Sequence, residues 1–391
     1  MSYILWIAGA ILALAWFSRI VDAALGMPRV GDLTRPQWDR RPATASGDPR
    51  VTIIVPARNE EAHIRETLTR LLGLDYSNYE VIAVNDRSTD RTGAIMEAVA
   101  GRNARPTQLR VIHVSDLPPG WLGKTHAMWR AGQQATGDWL LFTDADVLFK
   151  PETVRRAIAY ADAEKADHLV LLPRMIMELP GERMMMAFFQ TLFIFGHRPW
   201  KVADPKARDH MGVGAFNLVR RSTYEAVGTY LALRMEVLDD MKLGKVIKNA
   251  GFAPRVVFGE DLISLRWAQG AFGIVNNLTK NFFALLSFQW WRTIGSVVAV
   301  GFLNLGPFLG VWLARGWLQV PYAIALASIL AIYFGMASRS AVRPYYFFLH
   351  PIATALFMYI LMRSMFHTLW NDGVVWRGTK YPLEELRKGM V

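Results

Sequence analysis

Asp144-Ala145-Asp146 follows directly on an apolar run, Trp139–Phe142. Two carboxylates two residues apart at the lip of a strand can hold a hard divalent ion that also takes phosphate oxygens. Mg2+ and Mn2+ are typically bound in this way, by one or two carboxylates plus substrate phosphates and water. As a bare pattern Asp-x-Asp is weak, because chance supplies it in many chains. Two more polar clusters follow apolar runs: Pro56-Ala57-Arg58-Asn59-Glu60-Glu61 after 51–55, and Asn85-Asp86-Arg87-Ser88-Thr89-Asp90 after 81–84. The pair Asp239-Asp240 offers a general base, or else caps a helix beginning near Met241, since Asp is favoured at helix starts. His126, close to Lys124, suits a phosphate contact or an ordinary core or surface place equally well. His197 and His210 have no second partner at metal-ligand spacing. With no cysteine in the chain, a disulfide framework, a Cys-based zinc site and a Cys nucleophile are all excluded.

The runs that precede these clusters are short and β-rich: 51–55, 81–84, Leu109–Val114 and Trp139–Phe142. Periodic segments at 60–73, 91–100 and 124–136 lie between them. Strand alternating with helix predicts an α/β domain with a largely parallel sheet. In such sheets ligands bind outside the carboxyl ends of the strands, so the acidic and amide clusters are expected to converge on one edge.

The composition points beyond a soluble domain. Hydrophobic residues make up 52% of the 391 and charged residues only 20%, which excludes disorder. Apolarity concentrates at the two ends: 3–17, then 293–314, 317–337 and 344–362, each of the last three close to the ~20 residues that span a bilayer as helix. No Lys or Arg precedes the first run, so it is expected to be a retained anchor, not a cleaved signal peptide. Arg29, Arg35, Arg40, Arg41 and Arg50 follow it against Asp32, Asp39 and Asp48, which predicts that residue 28 onward is cytoplasmic. This collar accounts for part of the +11 charge without nucleic acid. The expected organisation is an anchor at 1–27, a catalytic domain at 28–281, an interfacial helix at 282–292, three transmembrane or re-entrant helices in 293–362, and a tail at 363–391.

Taken as a set, in order and spacing, the motifs over about 51–250 resemble the family 2 glycosyltransferases of the GT-A, Rossmann-like fold. Gly123-Lys124 resembles that family's Gly-Lys segment, and Gly212-Val213-Gly214-Ala215-Phe216 its small-residue strand near the sugar and acceptor. Asp239-Asp240 sits where relatives carry an acidic pair opening a helix. The resemblance implies that Pro56, Ala57 and Glu60 edge the nucleotide pocket, that Asp86 contacts the base, and that Lys124 lies near the donor nucleotide. It further implies Asp144 toward the ribose, Gly214 near the sugar, Asp146 on a Mg2+ or Mn2+ ion, and Asp240, with Asp239 beside it, as the base. The implied reaction is inverting, metal-dependent transfer of a hexose from a nucleotide-sugar, in the first instance a UDP-sugar.

Processive polysaccharide synthases of this family carry Gln-x-x-Arg-Trp. Here Arg266-Trp267 is present, but the Gln position is Ile263. The chain looks more like membrane-anchored relatives acting on hopanoid-type lipids, carotenoids and ceramide, and Trp376-Arg377-Gly378-Thr379-Lys380-Tyr381 resembles a segment of that group. A lipid acceptor, reached at the cytoplasmic face of a bacterial-type inner membrane, is therefore expected. Segments 184–201 and 282–292 are expected to frame its entrance, with Phe188, Phe189 and Phe193 facing the leaflet. The alternatives are a polysaccharide or polyprenyl-phosphate glycosyltransferase, a nucleotidyltransferase, and an inactive scaffold. The tail poses a conflict: if all four apolar runs cross, it emerges opposite the catalytic domain.

Overall fold

The structure is a computed structural model that describes residues 2–41, 47–103, 108–259, 261–337, 340 and 342–390. The chain divides into two compact units, one of Val30–Ile176, Lys201–Leu265 and Lys388–Val391, the other of Met1–Arg29, Met177–Trp200 and Arg266–Arg387. The division crosses the expected run of 28–281, since 177–200 and 266–281 pack with the apolar helices.

In the α/β unit the strands are β1 (Gly31–Asp32), β2 (Val51–Ala57), β3 (Tyr79–Asp86), β4 (Leu109–Val114), β5 (Trp139–Phe142), β6 (Leu148–Phe149), β7 (His168–Leu172), β8 (Arg174–Met175), β9 (Asn217–Arg220), β10 (Pro254–Phe258) and β11 (Ile263–Leu265). Eight form one sheet in the order β1-β10-β7-β9-β5-β2-β3-β4, and β6-β11-β8 form a small second sheet. Among the described strands of the large sheet, only β9 runs antiparallel to its neighbours, β5 and β7. Every residue of β2 is buried, as expected of a strand covered on both faces. Ile53, Val55, Val81 and Ala83 pack on one side. Ile54, Ile82, Val84, Leu140 and Phe142 pack on the other. The four strands and the helices Ile64–Leu72, Thr92–Gly101 and Gly123–Gln134 match the sequence expectation to within a few residues.

From β2 the chain steps outward to β3 and β4, then returns to place β5 on the opposite side of β2. This reversal opens a crevice at the carboxyl ends of β2 and β5, the usual ligand position in open α/β sheets. Pro56 is tolerated in an interior strand because β2 pairs with β5 only as far as Ile54.

Among the described residues the helical unit holds four helices long and apolar enough to cross a membrane: Ser2–Arg29, Trp290–Leu313, Gly316–Ala337 and Pro344–Trp370. After the last of these comes a hairpin, β12 (Gly373–Trp376) and β13 (Thr379–Pro382), followed by the short helix Leu383–Lys388. Arg377 and Gly378 take φ of 48° and 77° at the hairpin's tip, the left-handed pair that a tight two-residue turn needs.

Two expectations are corrected. Phe188 does not face a leaflet. It is fully buried and packs with Met185, Ile274, Phe357 and Ile360, because its face of the helix Pro180–Gly196 is enclosed by other helices of the unit. Phe189 and Phe193 are half-buried. Segment 282–292 is not one helix: Phe282–Leu285 forms a single turn, Ser287 and Phe288 reverse the backbone with φ of 58° and 53°, and Trp290 already opens the long helix Trp290–Leu313.

Candidate active site

The site grows from the crevice between β2 and β5. Asp144 leaves β5 with its N–H donated to the Gly214 carbonyl at 3.0 Å. Lys124, second residue of the helix Gly123–Gln134, extends its Nζ to 2.7 Å from Asp144 Oδ1 and 3.6 Å from Asp239 Oδ1. Burial alone would lower the Lys124 pKa, but the carboxylates of Asp144, Asp239 and Asp240 outweigh it and hold the amine protonated.

Asp240 accepts the Gly214 N–H at Oδ2, 2.8 Å, and the Met241 N–H at Oδ1, 2.7 Å. Burial raises its pKa, opposed by Lys124 and these N–H groups, and the net shift is upward. The helix Asp239–Asn249 is preceded by Leu238 and has no side-chain cap bond. Asp240 is thus not an N-cap; it ties the helix start to the 212–216 segment. That approach explains the glycines there: a Cβ on Gly212 would fall 1.7 Å from the Asp240 carbonyl oxygen, and one on Gly214 would fall 2.4 Å from Asp144 Oδ2.

Asp146 lies two residues past Asp144. Its carboxyl is pushed up to about 6, by burial first and then by the negative charge of Asp144 and Glu60. Among the described residues no group of three or more His, Cys, Asp or Glu is placed to hold a metal by itself. A cation here would take Asp146 and complete its shell from a ligand's phosphates and water, as Mg2+ and Mn2+ commonly do. The residues fit such an ion, since crowded carboxylates at the strand end are what a divalent charge would relieve.

At the other side of the crevice Asp86 is buried and gripped by its neighbour, with Arg87 Nε at 2.7 Å and Nη2 at 3.0 Å. The clusters after β2 and β3 lock together. Asn59 donates its N–H to Ser88 Oγ at 3.0 Å and accepts that of Thr89 at 2.8 Å, while the Glu60 N–H reaches Thr92 Oγ1 at 2.8 Å. Pro56 and Ala57 are the last two residues of β2.

The unit thus brings Pro56, Ala57, Glu60, Asp86, Lys124, Asp144, Asp146, Gly214, Asp239 and Asp240 to strand ends and helix starts of a single sheet edge. The Lys124 bridge between Asp144 and Asp239 had only one sequence signal, a Gly-Lys pair opening a periodic segment. His126 is buried, with its ring 5.3 Å from Trp121 and 6.2 Å from Trp129, and burial and then Arg130 push its pKa down.

The acid-rich crevice lies at the switch point of a mixed α/β sheet, where such folds usually bind their ligands. Residues 52–228 match the family described as glycosyl transferase family 2. The chain is similar to 4,4'-diaponeurosporenoate glycosyltransferase of Staphylococcus aureus strain MRSA252, 22% identical over 346 residues that cover 86% of this chain and 89% of the relative. The same enzyme from strain NCTC 8325 matches over the same shares. Among solved structures it is similar to the mannosyltransferase PcManGT from Pyrobaculum calidifontis in complex with GDP-Man and Mn2+, with a TM-score of 0.54 and 20% identity over 94% of this chain and 99% of that one. The fold is that of the GT-A glycosyltransferases. Over residues 52–228 the chain carries a glycosyl transferase family 2 domain.

Proposed function

We propose that this chain transfers a sugar, with inversion, from a nucleoside diphosphate sugar to a hydroxyl of a membrane lipid. The observation that carries the proposal is the charged array at the switch point, where one protonated Lys124 stands among Asp144, Asp239 and Asp240 with Asp146 beyond. In this reading Pro56, Ala57 and Glu60 edge the nucleotide pocket, Asp86 meets the base, Asp144 lies toward the ribose, and Gly214 leaves room for the sugar. Asp240 takes the proton of the acceptor hydroxyl, whose oxygen then bonds to the anomeric carbon as the bond to the diphosphate breaks. Burial makes this carboxylate a stronger base than a solvated one, which suits the task. Asp239 holds Lys124 beside it. Asp146 would hold Mg2+ or Mn2+, which when bound supplies charge to offset that developing on the leaving diphosphate.

Three features support a lipid acceptor: four apolar helices of membrane-spanning length, a relative named 4,4'-diaponeurosporenoate glycosyltransferase, and the physical point that anchors bring little gain if both substrates are dissolved. The arginines after the first helix favour a cytoplasmic active site in an inner membrane. The test is a screen of nucleotide-sugars against lipid extracts with membranes containing this chain, read by mass spectrometry. A new lipid glycoside that disappears in the Asp240→Asn membranes is expected. Transfer only to soluble or polymeric acceptors would reject the lipid reading, and a preference for a nucleoside triphosphate would reject glycosyl transfer.

A further inference from the structure

Within the helical unit, contacts between helices fix which ends lie together. Trp16 donates to the Leu303 carbonyl at 2.8 Å, Leu12 lies against Gly306, and Tyr322 donates to the Leu5 carbonyl at 2.6 Å while its ring covers Gly310. The first helix is therefore antiparallel to Trp290–Leu313, and its Gly26 end lies with Trp290. At that same end the Phe283 N–H donates to Ser364 Oγ at 2.8 Å, the Arg387 guanidinium to the Phe288 carbonyl at 2.9 Å, and Lys280 stands 4.4 Å over the ring of Trp376. Residues just before the Trp290 helix and residues that end the chain are thus neighbours. Between two points on the same face a chain crosses a membrane an even number of times, yet three apolar helices lie between these points.

The helix that does not cross is identified by where it starts. His350, its first residue, is fully buried. Tyr333 donates its hydroxyl to His350 Nδ1 at 2.9 Å, leaving Nε2–H to reach Asn304 Oδ1 at 3.1 Å. Asn304 in turn donates to the Val300 carbonyl at 2.9 Å, which sets its amide orientation. Asn304 lies fourteen residues into its helix, roughly 21 Å from Trp290 at 1.5 Å per residue, so His350 sits near the middle of the apolar layer. Phe347 meets Phe308 at 5.4 Å, and Met358 lies against Gly301, nearer the Trp290 end. The chain thus enters at mid-depth through the 3-10 turn Pro344–Leu349 and runs back toward Trp290. Such a turn is tolerable at that depth because its backbone is bonded locally and Tyr346 and Phe347 are buried in protein.

We infer that 344–370 is a re-entrant segment, that 290–370 crosses the membrane twice, and that the tail returns to the face bearing the arginine collar. The inference rests on the membrane reading proposed above. It brings Trp376-Arg377-Gly378-Thr379-Lys380-Tyr381 to the side assigned to catalysis and removes the topological conflict. Arg363, Arg377, Lys380, Arg387 and Lys388 against Asp372, Glu384 and Glu385 also suit a cytoplasmic tail.

The absence of cysteine allows a direct test with single cysteines in the full chain and a membrane-impermeant maleimide on sealed vesicles of both orientations. Lys380→Cys and Glu385→Cys, both exposed, should label from the same face as Gln133→Cys in the α/β unit, and Arg315→Cys from the opposite face. Labelling of both tail positions from the Arg315 face would overturn the re-entrant assignment while leaving the membrane reading intact. Labelling of Arg315→Cys from the Gln133 face would instead reject the crossing of the Trp290 helix, and the membrane reading with it. Two tail positions guard against one variant misfolding.

Discussion

At Asp146 the raised pKa has a definite sign. A carboxyl pushed up to about 6 is protonated below that pH, and the proton must leave before a cation can bind. Mn2+ affinity of the donor-bound protein is therefore expected to be level above about pH 6 and to fall about tenfold per unit below it, followed by calorimetric titration. Asp146→Asn should abolish metal-dependent donor turnover with the melting temperature preserved, and full activity with Mn2+ in that variant would remove the assignment. Asp240 is different, because its two oxygens also hold the Gly214 and Met241 N–H groups. Asp240→Asn should lower kcat by ~100-fold or more while donor affinity holds, the pattern of a lost base. A parallel loss of donor affinity would place Asp240 in the nucleotide pocket, and loss of transfer in Asp239→Asn alone would move the base one residue back. Asp86, Asp144 and Asp146 could be singled out in the sequence because their clusters directly follow apolar runs, and Asp239-Asp240 because the pair opens a helix. The pairing with Lys124 was not legible: Lys124 and Asp239 are distant in the chain, and only the fold brings them to 3.6 Å.

Elements were legible where periodicity was strong. β2 to β5 and the helices between them occur where alternating apolar runs place them, and even the apolar helices begin within a few residues of expectation. What periodicity does not report is which face of an apolar helix meets protein and which meets lipid, and Phe188 is the case in point. Its truncation to Ala should cost ~3–5 kcal/mol, as for a buried aromatic, whereas the half-buried Phe193, stacked on His197 at 5.3 Å, should tolerate Ser with a small change; equal melting temperatures for the two would contradict this packing. Strand pairing likewise sets a pH response that sequence does not show. On β7 the buried His168 ring is hydrogen-bonded to Asn217 of β9, and burial lowers its pKa to about 4. A folded pKa below the unfolded value of about 6.5 means that stability present above pH 6.5 is lost as pH falls toward 4. The loss is on the order of 3 kcal/mol, and His168→Gln should flatten that part of the curve of urea midpoint against pH. An unchanged slope would show that another group carries it.

For the whole molecule, the two compact units draw stability from different sources. The α/β unit is held by a two-faced sheet core whose apolar surface is exposed on unfolding, so urea acts on it in the ordinary way. On the membrane reading proposed above, the helical unit is solvated by detergent or lipid, and the backbone bonds of its long helices are closed within each helix. Unfolding in detergent is accordingly expected in two transitions by far-UV circular dichroism, contrary to the all-or-none behaviour of a small single domain. The proposed donor site lies wholly within the α/β unit, which makes the first transition the ligand-sensitive one. A nucleoside diphosphate with Mn2+ at about a hundred times its Kd should stabilise that transition by ~2.7 kcal/mol and leave the second in place. His168→Gln should alter the pH dependence of the first alone, and Phe188→Ala should act on the second. One transition displaced as a whole by ligand and by both substitutions would show instead that the units fold as one, and would refute this division of stability.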